Sequence, residues 1–164
     1  MNEYGSTIRD GNFYDLGSGI GKGVLAFSLL RPFKKCIGIE FLENLTKMSE
    51  NIKKKYDSQI DSLIKQNQDI FADLQESNII EFINGDFLKQ KWTETSILLI
   101  TSTCFNNDLM DKIGKKANKE CQSGTIIISF TKRVGSLNKD WELKDGFRRV
   151  MSWGIASIYI HRRK

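Results

Sequence analysis

The chain has 164 residues, of which 40% are hydrophobic and 27% charged, and a net charge of +5. That fits one domain, residues 1–164, with a real core, and it excludes a disordered chain. No apolar run approaches the ~20 residues that cross a bilayer, and the polar start, Met1 to Asp10, lacks the apolar centre of a secretory signal, so an intracellular protein, nuclear or cytoplasmic and away from membranes, is expected.

A first strand is predicted at Asn12–Leu16, followed by a glycine-dense turn and a helix from Gly21 to Leu30. Arg31-Pro32 stops that helix, because the residue before proline avoids the α region. A second strand covers Lys35–Glu40. The polar segment Leu42–Glu76 has apolar residues at mostly helical spacing (Leu45, Met48, Ile52, Tyr56, Ile60, Leu63). It predicts one long helix, broken near Asn67. Strands follow at Ile79–Asn84 and Ser96–Thr101, a helix at Asn107–Asn118, and a strand at Gly124–Phe130. The last part predicts an antiparallel pair, Trp141–Trp153 and Ile155–His161, turning near Gly154. Continuous apolar strands alternating with helices predict an α/β fold, its sheet mostly parallel and covered by helices on both faces.

The turn after the first strand is Asp15-Leu16-Gly17-Ser18-Gly19-Ile20-Gly21-Lys22-Gly23. A dinucleotide loop wants G-x-G-x-x-G, and Lys22 or Val24 stands where the third glycine belongs. A P-loop wants G-x-x-x-x-G-K-[ST], and Leu16 and Gly23 stand where its first glycine and its hydroxyl belong. The pattern present is an acid followed by glycines at alternate positions. A carboxylate there suits a ligand carrying an ammonium and a sulfonium rather than a pyrophosphate, and S-adenosylmethionine (AdoMet) is such a ligand. Two further strand-end acids agree. Glu40 stands 25 residues after Asp15, where an acid can accept hydrogen bonds from ribose hydroxyls. Asp86 can accept from an adenine amino group, with Phe87 against the base.

Three cysteines, Cys36, Cys104 and Cys121, and the single His161 form neither a disulfide framework nor a zinc knuckle, so no metal centre is expected. Cys104 lacks a nearby base for nucleophilic work. Lys22, His161 and the Arg162-Arg163-Lys164 tail are expected at the surface. From Phe130 to Lys164 there are nine Lys/Arg against three Asp/Glu. Such a basic third is either a solvated face or one that meets an acidic partner such as nucleic acid.

The segments FYDLGSGIGKGVLA, CIGIE, NGDFL, TSTCF and MSWGIASIYIH together resemble the AdoMet-dependent seven-strand methyltransferases. The aromatic order, GDF then CF then SW…YIH, is similar to the non-SET histone lysine methyltransferases of the Disruptor-of-telomeric-silencing family. The resemblance implies a Rossmann-like seven-stranded methyltransferase sheet with a C-terminal antiparallel hairpin. It implies AdoMet as cofactor, S-adenosylhomocysteine as product, and methylation of a histone-like lysine in chromatin. Asp15, Gly17, Ser18, Gly19 and Gly21 would then line the methionine part, Glu40 and Phe41 the ribose side, and Asp86 and Phe87 the adenine. Thr101, Ser102 and Phe105 would line the methyl-transfer mouth, with Trp153 and Tyr159 on the closing hairpin. The family usually carries asparagines where Thr101-Ser102 stand and a second tyrosine where Ile158 stands. Few residues precede the first strand, so the family's N-terminal lid is expected to be missing or supplied by a partner. An RNA or small-molecule methyltransferase, and a non-catalytic subunit of a larger complex, are the alternatives.

Overall fold

The computed structural model describes residues 10–71, 74, 78–152 and 154–164. The elements run β1 (Asn12–Leu16), α1 (Lys22–Ser28), β2 (Cys36–Glu40), α2 (Glu43–Asp57), α3 (Ile60–Gln66), β3 (Ile80–Asn84), β4 (Thr95–Thr101), a 3-10 turn (Ser102–Cys104), α4 (Asn107–Glu120), β5 (Ile126–Phe130), β6 (Trp141–Met151) and β7 (Gly154–Arg163). The strands form one seven-stranded sheet in the order β3-β2-β1-β4-β5-β7-β6. β1 to β5 are parallel, and β7 runs antiparallel to both β5 and β6. The expected sheet, hairpin included, is the one observed.

Successive strand residues point to opposite faces, and the core divides accordingly. Tyr14, Leu16, Leu98, Ile100 and Ile127 pack against Met110, Ile113 and Ala117 of α4. Phe13, Ile97, Leu99 and Ile126 pack on the other face, with Val24, Leu25 and Phe27 of α1 and Tyr56 of α2. Phe13 and Phe27 stack with ring centroids 4.4 Å apart. Both faces are buried, so β1 and β4 are apolar without alternation. The helix ends carry local signals. Asn106 caps α4 by accepting from the Leu109 N–H at 2.9 Å, and Glu43 opens α2 while Lys54 and Lys55 close it, as the helix dipole favours.

The long polar segment departs from expectation. It is two helices, interrupted at Ser58-Gln59, with Asn67 at the end of the second. The Ser58 hydroxyl donates to the Lys55 carbonyl at 2.8 Å, which satisfies a helix-end acceptor without another turn. Ile64 is buried, at 1% exposure, with Ile60, Leu29 and Tyr56, and Leu63 is 44% exposed. α3 thus seats Ile60 and Ile64 against Leu29 of the α1 end and Tyr56 of α2.

Candidate active site

Strand order reverses between β1 and β4, and open α/β sheets take ligands at such a reversal, outside the carboxyl ends of the strands. The glycine loop, Phe41-Leu42, Gly85–Leu88 and Ser102–Asn106 meet there, each following one of the four central or edge strands.

Gly17, Gly19 and Gly21 have φ of +79°, +55° and +85°. Three left-handed residues at alternate positions favour glycine strongly. Their conformation turns successive backbone groups toward β2. The Gly17 and Ser18 N–H groups donate to the Ile39 carbonyl at 2.9 and 3.2 Å. The Gly19 N–H donates to Glu40 Oε2 at 2.8 Å, and the Leu42 N–H to Glu40 Oε1 at 2.9 Å. The Glu40 carboxylate therefore ties two loops together and keeps lone pairs for further donors.

Asp15 is 4% exposed, and its Oδ1 has no hydrogen-bond partner. Burial, and then the neighbouring Glu40 charge, push its carboxyl up to about 7. Ser18 is also buried with an unpartnered hydroxyl. The Asp15 carboxylate presses on Gly23, where any Cβ would collide with it. The Asp15 carboxyl is therefore buried with one oxygen unpaired.

Asp86 Oδ1 accepts from the Leu88 N–H at 2.8 Å and so closes the turn after β3. Phe87 is held by the Trp92 indole, which donates to its carbonyl at 3.1 Å. The Phe105 ring lies 5.7 Å from that of Phe87. It also covers Gly17, where a Cβ would stand 3.0 Å from Phe105 Cζ. Phe105 thus joins the loops after β1, β3 and β4. Its carbonyl accepts from Lys132 Nζ at 2.6 Å.

The other expected residues divide. Thr101 ends β4, half-buried, opposite Phe130. Phe41 is 72% exposed at the rim. Ser102 is fully buried; its hydroxyl donates to the Phe130 carbonyl and accepts from the Lys132 N–H at 3.2 Å. Both ties hold the end of β4 to β5, so Ser102, expected at the methyl-transfer mouth, faces Phe130 and Lys132. Tyr159 shares a sheet row with Ile100 and Ser129, beyond β5 from the glycine loop, its ring along Gly146. Trp153 lies outside the described residues. Lys22 and Cys104 are exposed. His161, expected at the surface, is buried on β7 at 2% exposure. Among the described residues no His, Cys, Asp and Glu cluster could hold a metal ion.

Sequence reasoning missed Gly38, Asn84 and Lys132. A Cβ on Gly38 would meet Ser18 Oγ at 2.7 Å and Phe82 at 2.8 Å, and a glycine inside a strand signals such close approach. Asn84 Nδ2 donates to the Glu40 and Phe41 carbonyls at 3.1 and 3.2 Å, fastening β2 to β3. Nothing in the spacing points to Lys132.

A family model described as histone methylation protein DOT1 matches residues 6–149. The chain belongs to the DOT1 family. It is 29% identical over 133 residues to a histone-lysine N-methyltransferase, H3 lysine-79 specific, from Caenorhabditis elegans. That match covers 78% of this chain and 13% of the relative's length. The DOT1-family sheet is also similar to an RNA methyltransferase from Salinibacter ruber in complex with S-adenosyl-L-homocysteine (TM-score 0.64, 18% identity, 91% of this chain and 78% of that one). It is similar to TrmN from Thermus thermophilus (TM-score 0.66, 14% identity, 93% and 44%). At such identities the likeness is one of fold, and the fold is the seven-strand methyltransferase fold.

Proposed function

We propose that residues 1–164 form a single AdoMet-dependent protein-lysine N-methyltransferase domain acting on a histone H3-like substrate. The observation that carries the cofactor reading is the buried Asp15 carboxylate, with an oxygen lacking any partner and its proton affinity raised. A cationic ligand would supply what that carboxylate lacks, and AdoMet carries both an ammonium and a sulfonium.

In this reading Asp15 and the loop Gly17, Ser18, Gly19 and Gly21 hold the methionine part. Glu40, with Phe41 at the rim, takes the ribose. Asp86 and Phe87 take the adenine, and Phe105 and Thr101 border the mouth above Ser102. AdoMet supplies an activated methyl group when bound. The chain's own work is then to position the amine and exclude water. A lysine must arrive neutral, and an aromatic wall such as Phe105 against Phe87 favours that form by desolvating the ammonium. Tyr159 and Trp153 would act from the hairpin, on the approach to the mouth. The exposed Arg148 and Arg149 of β6 suit an acidic partner such as nucleosomal DNA, which makes the nucleus the compartment to expect.

Tritiated-methyl transfer into core histones, nucleosomes and naked RNA tests the assignment. Label in histone H3, abolished by Glu40→Ala, is the expected result. Incorporation into RNA alone would overturn the protein-lysine reading, and AdoMet binding without transfer to any acceptor would point to a non-catalytic subunit.

A further inference from the structure

β5 ends in a strained turn. Thr131 has φ of +71°, a left-handed conformation rare for a β-branched residue. The Lys132 N–H donates to the Phe130 carbonyl at 2.8 Å, so residues 130–132 form a γ-turn of the strained, positive-φ kind. Neighbours on both sides of β5 hold it. The Thr131 N–H donates to the Ser157 carbonyl of β7 at 2.7 Å. The Lys132 N–H also reaches Ser102 Oγ, just past β4, at 3.2 Å. Strain of this sort persists only where the surroundings over-determine it, and it gathers at functional sites.

The turn sends the Lys132 side chain back toward the end of β4. Its Nζ donates to the Phe105 carbonyl at 2.6 Å. Lys47, Lys53 and Lys112 pair with acids one helical turn away, whereas among the described residues this ammonium has no carboxylate partner and is committed to a carbonyl. Phe105 sits between the 3-10 turn and α4, with exposed Cys104 and Asn106 on either side. Its own N–H donates to the Ser102 carbonyl at a longer 3.2 Å. Its ring covers Gly17 and lies 5.7 Å from that of Phe87. A short, charge-assisted hydrogen bond is stronger than a neutral one, so Lys132 supplies much of what fixes the Phe105 backbone, and with it the ring.

We propose that Lys132 is a positioning residue for methyl transfer, acting through Phe105 to fix the aromatic wall of the mouth against the glycine loop. This rests on the methyltransferase reading given above. Transfer needs the acceptor in line with the methyl group, and a displacement of about 1 Å can cost about a hundredfold in rate. The Lys132 tie resists such a displacement of the wall. The glycine loop keeps its own ties to the Ile39 carbonyl and to Glu40, so the grip on the cofactor does not depend on Lys132. Its effect falls on the rate once the cofactor is bound.

The test compares Lys132→Met, which keeps an unbranched side chain and loses the ammonium, with Lys132→Arg, which restores a charged donor. Tritiated-methyl transfer to core histones and nucleosomes should show kcat lowered about tenfold in Lys132→Met, the loss of one charge-assisted hydrogen bond. Lys132→Arg should recover most of it, and AdoMet affinity by calorimetry should stay near native in both. In a Phe105→Leu background Lys132→Met should cost nothing further, because the ring it acts through is already gone. In the cofactor-free chain labelled with 4-fluorophenylalanine, the Phe105 resonance is identified by its loss in Phe105→Leu. It should move in Lys132→Met and return in Lys132→Arg. Unchanged kcat in Lys132→Met, no recovery in Lys132→Arg, or a full further loss on top of Phe105→Leu would each overturn the proposal. Absence of transfer by the native chain would overturn the function reading itself, and a fluorine resonance unmoved in Lys132→Met would overturn the positioning separately.

Discussion

The two sides of the sheet carry opposite electrostatic deficits. On the β1–β2 side, Asp15 and Glu40 are buried acids, and Asp15 lacks a counter-charge. On the β5–β7 side, Trp141 and His161 are buried donors beside a cation, and they lack an acceptor. Each deficit raises the free energy of the empty fold, because desolvated polar groups are costly unless paired. A core selected for packing alone would carry neither. One region leaves a buried acid unpaired and the other leaves buried ring nitrogens unpaired, with β4 and its apolar residues between them.

Breaking the acidic side at Glu40 should have the largest effect. Glu40→Ala removes the acceptor of the Gly19 and Leu42 N–H groups and the proposed ribose contact together. Charge-assisted hydrogen bonds contribute about 1.5–3 kcal/mol each, so calorimetry should show AdoMet affinity lowered by about a hundredfold or more. An affinity within a few-fold of the native protein would move the cofactor elsewhere.

Asp15→Asn sharpens the contrast through pH. The Asp15 carboxyl ionises at about 7 in the fold and near 3.8 in the unfolded chain. The unfolded chain therefore loses this proton first, and Asp15 destabilises the empty fold increasingly from about pH 4 to about pH 7, with no further change above. Empty Asp15→Asn should melt higher than the native protein at pH 8, and the advantage should vanish near pH 4. A cationic ligand needs the ionised form, so native AdoMet affinity should rise by up to about tenfold per pH unit below 7, then level off. Asp15→Asn should bind weakly with a flat profile.

On the basic side the sign reverses. His161 titrates at about 4 in the fold against 6.5 when free. The unfolded chain takes up a proton first as pH falls, so stability should be lost between about pH 6.5 and pH 4. His161→Phe should remove that loss, as read from urea midpoints across the same range. The smallest effect concerns the thiols. Burial pushes Cys36 and Cys121 up to about 12, and Cys104 is exposed, so a thiol reagent should titrate one fast group in the native protein and all three cysteines after unfolding.

Much of this was legible from the chain. The bounds of β1 match Asn12–Leu16, and the hairpin turns next to Gly154, the first residue of β7, because alternation, breakers and strand-forming residues act over a few positions. The acids of the cleft were legible for a related reason. In a parallel sheet, residues that end successive strands arrive on one edge, so Asp15, Glu40 and Asp86 could be grouped without coordinates.

Other features depended on partners far along the chain. The helix break at Ser58-Gln59 bears no proline or glycine; it is decided by where Ile60 and Ile64 can be buried. Ser102 turned from the mouth to the support of β5 because the β4–β5 register presents Phe130 and Lys132 to its hydroxyl. His161, polar and near the chain end, is enclosed only because the 131–140 connection folds back over it onto α4.

The sequence by itself determined the sheet, the left-handed glycine turn and the acids at its carboxyl edge, since these follow from backbone sterics and the two-residue period of strands. Only the tertiary structure decided which polar atoms end buried without a partner, on Asp15 at one side and on Trp141 and His161 at the other. Pairing and desolvation depend on every neighbour that closes around a group, and those neighbours are set by the packing of the whole chain.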